Sequence, residues 1–75
     1  MIELDKQIHL TVRQLEVLKY IAKGYTNSEI AEKMYITDHT VKAHIGAIYE
    51  TLKTNSRVQA VVKAIQEEIL KISDL

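Results

Sequence analysis

Residues 36–45 read ITDHTVKAHI, and this stretch starts a helix whose two faces differ sharply. Thr37 is a favourable N-cap, and Asp38 follows in the first turn, where a negative charge interacts well with the helix dipole. Apolar residues then recur at helical spacing and predict one buried face: Val41, Ile45, Ile48 and Leu52. The opposite face is small and smooth and is made of His39, Ala43, Gly46, Ala47 and Glu50, with Lys42 at its flank. This outer face is the first candidate for a functional surface.

Composition restricts the kinds of protein that this chain can be. The chain has 75 residues, enough for one small domain spanning residues 1–75, and 47% of them are apolar, which excludes a disordered tail. Cysteine is absent, which excludes disulfides, thiolate zinc sites and cysteine nucleophiles and is compatible with a reducing cytoplasm. The longest apolar runs fall short of a membrane span, and the N-terminal stretch MIELDKQIHL does not resemble a signal peptide.

The charges are balanced overall but unevenly distributed. The formal net charge is zero, which argues against a protein that binds any nucleic acid through charge alone. Residues 39–63 contain four basic residues and one acidic residue, a local charge of +3, whereas residues 64–75 contain three acidic residues and one lysine, a local charge of −2. Ordinary solvated helix surfaces explain this distribution as well as a basic binding surface does.

Four helical segments with short connections account for most of the chain. Thr11 caps the first helix and forms a capping-box pattern with Gln14, and Gly24 ends it. Thr26 or Asn27 starts the second helix, and residues 38–53 form the third. Asn55 or Ser56 caps the fourth, which is expected to run to about residue 70. No segment alternates with a period of two, so we predict an all-α fold without a sheet.

The second and third helices form the pair that suggests a function. A short helix, a tight turn and a longer helix constitute a helix-turn-helix, in which the second helix of the pair enters the major groove of DNA. That groove is about 12 Å wide, and small side chains let a helix backbone come close to the bases. The predicted contact residues to bases and phosphates are Asn27, Ser28, Thr37, His39, Thr40, Lys42, Ala43, His44, Gly46 and Ala47.

Two of these residues have competing interpretations. Glycine at position 46 costs about 1 kcal/mol relative to alanine inside a helix, so it indicates close approach to a ligand, close packing against another helix, or simple tolerance of the cost. His44 lies nearer the buried face and is predicted to contact a phosphate or to bond a neighbouring loop. His39 and His44 are five residues apart and lie on different faces, so we expect no metal site.

Five ordered blocks of sequence resemble the C-terminal DNA-binding domain of LuxR-type regulators, also called the NarL/FixJ or GerE-like class. The blocks are LT-x-R-x-x-E-V-L at 10–18, glycine at 24, N-x-E-I-A at 27–31, I-T-x-x-T-V-K-x-H at 36–44 and S-R-x-x-A-V at 56–61. The resemblance covers about residues 10–65, which is most of the chain, within a family-like core at about 10–70. It implies a four-helix fold with the third helix as the recognition helix.

The resemblance also implies partners. It implies a cytoplasmic transcription regulator that binds double-stranded promoter DNA as a homodimer, without a cofactor. The fourth helix commonly supplies the dimer contact in this class, and its apolar residues here spread wider than one core stripe: Val58, Val61, Val62, Ile65 and Ile69. Relatives often carry an N-terminal receiver or ligand-binding domain, and RNA polymerase is a further candidate partner.

The chain departs from the family pattern at several positions. Val12 stands where a proline is usual, and Gly46 stands where relatives often carry a polar or basic contact residue. Lys53 and Thr54 replace a common Gly-Val pair, so we expect an irregular or more mobile joint between the third and fourth helices. We also expect an ion pair between Glu16 and Arg57 in preference to a DNA contact by Arg57, and tyrosines packed at the margins of the core.

Three other functions are alternatives to this one. An enzyme is disfavoured, since the sequence has no triad-like order and no cluster of metal ligands. A sigma-factor region-four domain shares the opening motif and the helix pair, but the S-R-x-x-A-V helix argues against it. A helical protein-interaction module without DNA binding remains open, and salt dependence distinguishes it, because binding to DNA weakens steeply with ionic strength.

Overall fold

The computed structural model describes residues 9–75 as four α-helices and a short 3-10 helix. The elements are α1 (Val12–Ala22), α2 (Asn27–Met34), α3 (Asp38–Leu52), α4 (Arg57–Gln66) and the 3-10 helix Ile72–Asp74. No strand occurs in this part of the chain, which confirms the predicted all-α class. Most of the N-terminal stretch that was compared with signal peptides lies outside the described residues. No helix in the described part is long and apolar enough to cross a membrane.

A side-chain hydroxyl caps the N-terminus of each α-helix. The four N-caps are Thr11, Thr26, Thr37 and Ser56. The predicted capping box of α1 forms, with Gln14 Oε1 accepting from the backbone N–H of Thr11 at 3.1 Å. A second box joins Thr26 and Glu29, whose Oε1 accepts at 2.9 Å. Each cap satisfies an amide that would otherwise lack a partner, which explains why the helices begin where the sequence indicates.

A left-handed residue follows the C-terminus of each of these helices and closes a Schellman motif. Gly24, with φ of 90°, does so after α1, as predicted. Three non-glycine residues do the same after the other helices: Tyr35, Lys53 and Glu68, with φ of 57°, 59° and 62°. A left-handed conformation costs a residue with a Cβ roughly 1–2 kcal/mol. The four connections are therefore all tight, and three of them carry local backbone strain.

The joint between α3 and α4 is regular, which corrects the expected irregularity at Lys53 and Thr54. The Lys53 N–H donates to the carbonyl of Glu50 at 3.3 Å, and the Thr54 N–H donates to that of Tyr49 at 2.9 Å. Lysine thus occupies the left-handed position without glycine. The Thr54 Oγ1 is buried and has no hydrogen-bond partner in the described part of the chain, which is an energetic cost of having threonine there.

The core lies around α3, which packs against each of the other three α-helices. Its buried positions are the ones predicted from periodicity: Val41, Ile45, Ile48 and Leu52. The other helices contribute Val17, Leu18 and Ile21 from α1, Ile30, Ala31 and Met34 from α2, and Ala60 and Ala64 from α4. No buried side chain in residues 9–75 is polar or charged. Because α3 is fixed by neighbours on its apolar side, its opposite face is held rigidly toward solvent.

The fourth helix is shorter than predicted. It ends at Gln66, and the left-handed Glu68 reverses the chain. Leu70 then folds back into the core and is only 1% exposed, while Ile69 is partly buried beside it. The predicted extension to residue 70 was wrong, because the apolar spacing continues through the turn although the backbone does not.

Candidate nucleic-acid interface

The exposed face of α3 carries the predicted base-contacting residues on one side of the helix. His39, Lys42, Ala43 and Gly46 are exposed. Thr40, His44 and Ala47 are half-buried at the edges of this face. The helix has 15 residues and is about 22 Å long at the standard rise, so it can extend across several base pairs of a major groove. We call the surface formed by these seven residues the α3 outer face.

Gly46 leaves a gap in the middle of the α3 outer face. A Cβ built at this position meets no atom of residues 9–75 within 4 Å. Packing against another of the described helices therefore does not explain the glycine, and that interpretation of the sequence was wrong. A helix backbone without a side chain at its solvent side can be approached closely by a ligand, and this is the arrangement that a groove-binding helix needs.

Lys42 lies four residues before Gly46 on α3, and no carboxylate within residues 9–75 forms an ion pair with it. The two ion pairs of the described residues are Arg13–Glu16, at 3.0 Å, and Lys63–Glu67, at 3.9 Å. An exposed ammonium of this kind can bind an external anion without first breaking an ion pair to the described residues.

The N-termini of α2 and α3 are joined by a hydrogen bond. The Ser28 hydroxyl donates to Asp38 Oδ2 at 3.0 Å, which links the first turns of the two helices. Thr37 Oγ1 accepts from the backbone N–H of Thr40 at 3.1 Å and lies 3.0 Å from the Thr40 hydroxyl. The Ser28 hydroxyl thus holds the two helix starts together, and the hydroxyls of Thr37 and Thr40 close the first turn of α3.

Arg57 binds Asn27, which corrects the expected ion pair between Glu16 and Arg57. The guanidinium of Arg57 donates through Nη2 to Asn27 Oδ1 and through Nη1 to the carbonyl oxygen of Tyr25, at 3.4 Å for the latter. Glu16 pairs instead with Arg13 on its own helix, because residues three apart on a helix are neighbours. The oxygen of the Asn27 amide is therefore occupied within the domain.

The tyrosines divide into two groups. Tyr20 and Tyr25 stack with ring centroids 5.3 Å apart, and Lys33 Nζ lies 5.4 Å from the Tyr25 ring centroid. Together with Tyr49 they pack at the margin of the core, as expected. Tyr35 does not, because its left-handed backbone in the turn between α2 and α3 leaves the side chain 93% exposed. The expectation for Tyr35 was therefore wrong.

An apolar surface extends along α4 away from the α3 outer face residues. Val58 and Val62 are 73% and 47% exposed, so the chain does not bury all its α4 valines in its own core. Val61 and Ile65 are partly buried against that core. A shallow groove of about 260 Å³ runs beside these residues and is lined by Ile21, Ala22, Arg57, Val58, Val61 and Val62. Ile69, predicted to share this surface, lies beyond the end of α4 and packs partly inward.

Metal ligands do not cluster in the described part of the chain. Within residues 9–75 no three His, Asp or Glu side chains come close enough to hold a metal ion. His39 and His44 lie separately, one exposed and one half-buried. The polar groups of the α3 outer face are hydrogen-bond donors and acceptors together with the exposed ammonium of Lys42, and such groups suit recognition of a polyanion.

Two contributors to this surface were missed from the sequence. Glu29 fixes the start of α2 through its capping box, and the spacing of threonine and glutamate three residues apart could have revealed it. The bond from Arg57 to Asn27 had no such signal, because its partners are 30 residues apart in the chain.

Comparison with known proteins gives a consistent result. Residues 9–64 match the family model GerE, described as bacterial regulatory proteins of the luxR family. The response regulator protein VraR of Staphylococcus aureus is 45% identical over 62 residues, which is 83% of this chain and 30% of the relative. The proteins of the same name from Staphylococcus saprophyticus and Staphylococcus epidermidis match to the same extent. The chain thus spans about 30% of the length of these relatives.

Proposed function

This chain belongs to the luxR family of bacterial regulatory proteins and is a DNA-binding domain of a transcription regulator, and from that premise we propose that it recognises a specific duplex sequence as a homodimer. Membership of this family, predicted from five sequence blocks, decides against the sigma-factor region-four alternative. The family is one of DNA-binding regulators rather than of enzymes.

The observation that carries the proposal is the α3 outer face. The core behind α3 holds this face rigidly, and the side chains at its centre are small. At Gly46 no neighbouring atom of the described residues occupies the space of a side chain. In the proposed complex α3 lies in the major groove, with Ala43 and Ala47 against thymine methyl groups and His39 and Lys42 against base edges or phosphates. Thr37, Thr40 and His44 flank the groove and meet the phosphate backbone.

The N-terminus of α2 supplies the remaining phosphate contacts in this proposal. Asn27 and Ser28 occupy the first turn of α2, where backbone amides and the helix dipole favour an anion. Phosphate contacts of this kind set the position of the protein on the duplex, and the α3 outer face then selects the sequence.

The homodimer is supported by the exposed apolar side of α4. Val58 and Val62 would be covered by the same surface of a second copy, as a two-fold interface requires. Two copies arranged in this way would bind half-sites about one helical turn apart.

The longer protein is proposed to be a response regulator of the cytoplasm, with an N-terminal receiver or ligand-binding domain and RNA polymerase as a partner. The Staphylococcus relatives are response regulator proteins of greater length, which supports this arrangement. In that arrangement the present chain is the output domain.

Selection of binding sites from a random duplex library, at low and at moderate salt, tests the proposal. We expect enrichment of a two-fold or tandemly repeated site whose binding survives moderate salt. Enrichment of no sequence, together with a protein partner whose binding is insensitive to salt, would favour the protein-interaction module instead.

Lys42 gives a sharper test of the placement of α3. Lys42→Ala removes one charge-assisted contact, so we expect a loss of about 1 kcal/mol in binding free energy. The slope of log affinity against log salt should also fall by about one. Lys71→Ala, at an exposed lysine beyond α4, is the matched control and should change neither quantity. Equal effects at both positions would mean that Lys42 acts only through net charge.

A further inference from the structure

Arg57 connects two helices that share no broad packing surface. α4 packs mainly on α1 and α3, and α2 packs mainly on α3. The guanidinium of Arg57, at the first position of α4, reaches the start of α2 and binds Asn27 Oδ1 and the Tyr25 carbonyl. All other side-chain hydrogen bonds in residues 9–75 join positions ten or fewer apart. Arg57 is thus the one long-range polar link found in the described chain.

The chemistry of this bond fixes which end of the Asn27 amide is free. A guanidinium only donates hydrogen bonds. It therefore pairs with the oxygen of an amide, which is an acceptor, and not with the nitrogen, which is a donor. With Oδ1 held by Arg57, the Nδ2 group is the end left for an external partner. That group carries two donors, which suit a phosphate oxygen.

Arg57 itself is poorly placed to serve as the phosphate ligand. Its side chain is half-buried, and both terminal nitrogens already donate within the domain. These bonds engage two of the five guanidinium N–H donors and hold the group against the start of α2. The residue next to it, Ser56, is the N-cap of α4, so the start of the helix that carries Arg57 is itself fixed.

We infer that Arg57 is a positioning residue that orients the Asn27 side-chain amide to donate to a DNA phosphate. The inference rests on the proposed function. It assigns to Arg57 an effect on DNA affinity that is transmitted entirely through Asn27.

Duplex binding by the variants Asn27→Ala, Arg57→Gln and the double variant tests the inference, with affinity measured over a range of salt concentrations. We expect each single variant to bind about five- to tenfold more weakly, since one hydrogen bond to a charged group is lost. The double variant should bind no more weakly than either single one, because both changes remove the same contact. Arg57→Lys keeps a donor for Oδ1 and should recover most of the affinity.

The salt dependence separates positioning from direct contact. If Arg57 acts through the neutral Asn27 amide, Arg57→Gln lowers the affinity at every salt concentration and leaves the slope unchanged. A slope reduced by about one would mean that Arg57 binds a phosphate itself and would overturn the inference. Losses that add in the double variant would overturn it as well.

Asn27→Asp keeps the test decisive even where Arg57→Gln impairs folding. A carboxylate still accepts from the guanidinium, so the domain should unfold at the same temperature as wild type or higher, but it offers no donor to phosphate. We expect at least a tenfold loss of duplex affinity in this well-folded variant. Undiminished affinity would show that the amide donor has no role. A wild-type domain that binds no duplex, or a Lys42→Ala variant with an unchanged slope, would count against the proposed function instead.

Discussion

Gly46 combines a stability cost with open space on the α3 outer face. A methyl group there meets no atom of the described residues within 4 Å, so Gly46→Ala should raise the free energy of unfolding by about 0.5–1 kcal/mol through helix propensity. If the proposed groove contact is correct, the same variant should bind duplex DNA more weakly, because the added methyl group lies between backbone and bases. Urea unfolding and duplex titration measure the two effects separately.

Ala43→Gly is the matched control for this prediction, since Ala43 is exposed on the same face of α3. It should lower the free energy of unfolding by about the amount that Gly46→Ala raises it. A Gly46→Ala domain that is less stable than wild type would contradict the open-space argument. One that is more stable and binds equally well would place Gly46 outside the DNA contact.

Lys53 adopts a left-handed conformation at the end of α3 without the usual glycine. Lys53→Gly removes strain of roughly 1–2 kcal/mol in the folded state and loses part of that through a more flexible unfolded chain. We expect a net gain of up to about 1 kcal/mol in the free energy of unfolding, measured by urea denaturation.

Lys23→Gly is the control for Lys53→Gly, because Lys23 also follows a helix but has a right-handed backbone with φ of −85°. Glycine relieves no strain there and should destabilise the domain by about 0.5–1 kcal/mol. Opposite signs at the two lysines identify the backbone conformation as the cause. A loss at both would show that the strain at Lys53 is negligible.

Among the secondary-structure elements, the turn after α4 places one apolar residue in the core and leaves another in solvent. Leu70 is almost fully buried, whereas Ile72, two residues later, is 73% exposed. Leu70→Ala should therefore lower the free energy of unfolding by roughly 2–5 kcal/mol, and Ile72→Ala should change it by less than about 0.5 kcal/mol. Similar effects of the two substitutions in thermal unfolding would mean that the chain does not fold back after Gln66.

Local signals explain which elements could be predicted from the sequence. Helix starts were predictable because a hydroxyl such as Thr11 or Thr37 binds an amide only three residues away. The end of α4 was not, because nothing in the sequence distinguishes a left-handed Glu68 from a helical one. Side-chain partners from different helices, such as Arg57 and Asn27, depend on how the helices pack. The DNA-contacting and dimer residues remain predictions.

For the whole molecule, the assembly of two copies depends on the exposed valines of α4. Val58→Glu places a charge in the proposed interface, where burial without a partner is costly. The position is 73% exposed in the single domain, so its own fold should be unaffected. We expect a larger monomer fraction in sedimentation and weaker binding to paired half-sites, with single half-site binding unchanged.

Val12→Glu is the control for the dimer prediction, because Val12 is 77% exposed on α1 and lies outside the α4 groove. It should leave both sedimentation and paired-site binding as in wild type. An equal effect of the two substitutions would mean that added negative charge, rather than the α4 surface, weakens binding to the polyanion.

The capping residues at both ends of the helices have a consequence for the kinetics of folding. Each α-helix described here starts at a hydroxyl cap and stops at a left-handed residue, and both signals act within a few residues. The length of each helix is thus determined by nearby residues before distant segments come into contact. Folding then requires only that the four short helices find their packing arrangement. Small helical domains of this kind reach the native state within about a millisecond. A newly made domain would therefore expose its apolar residues only briefly to aggregation and proteolysis.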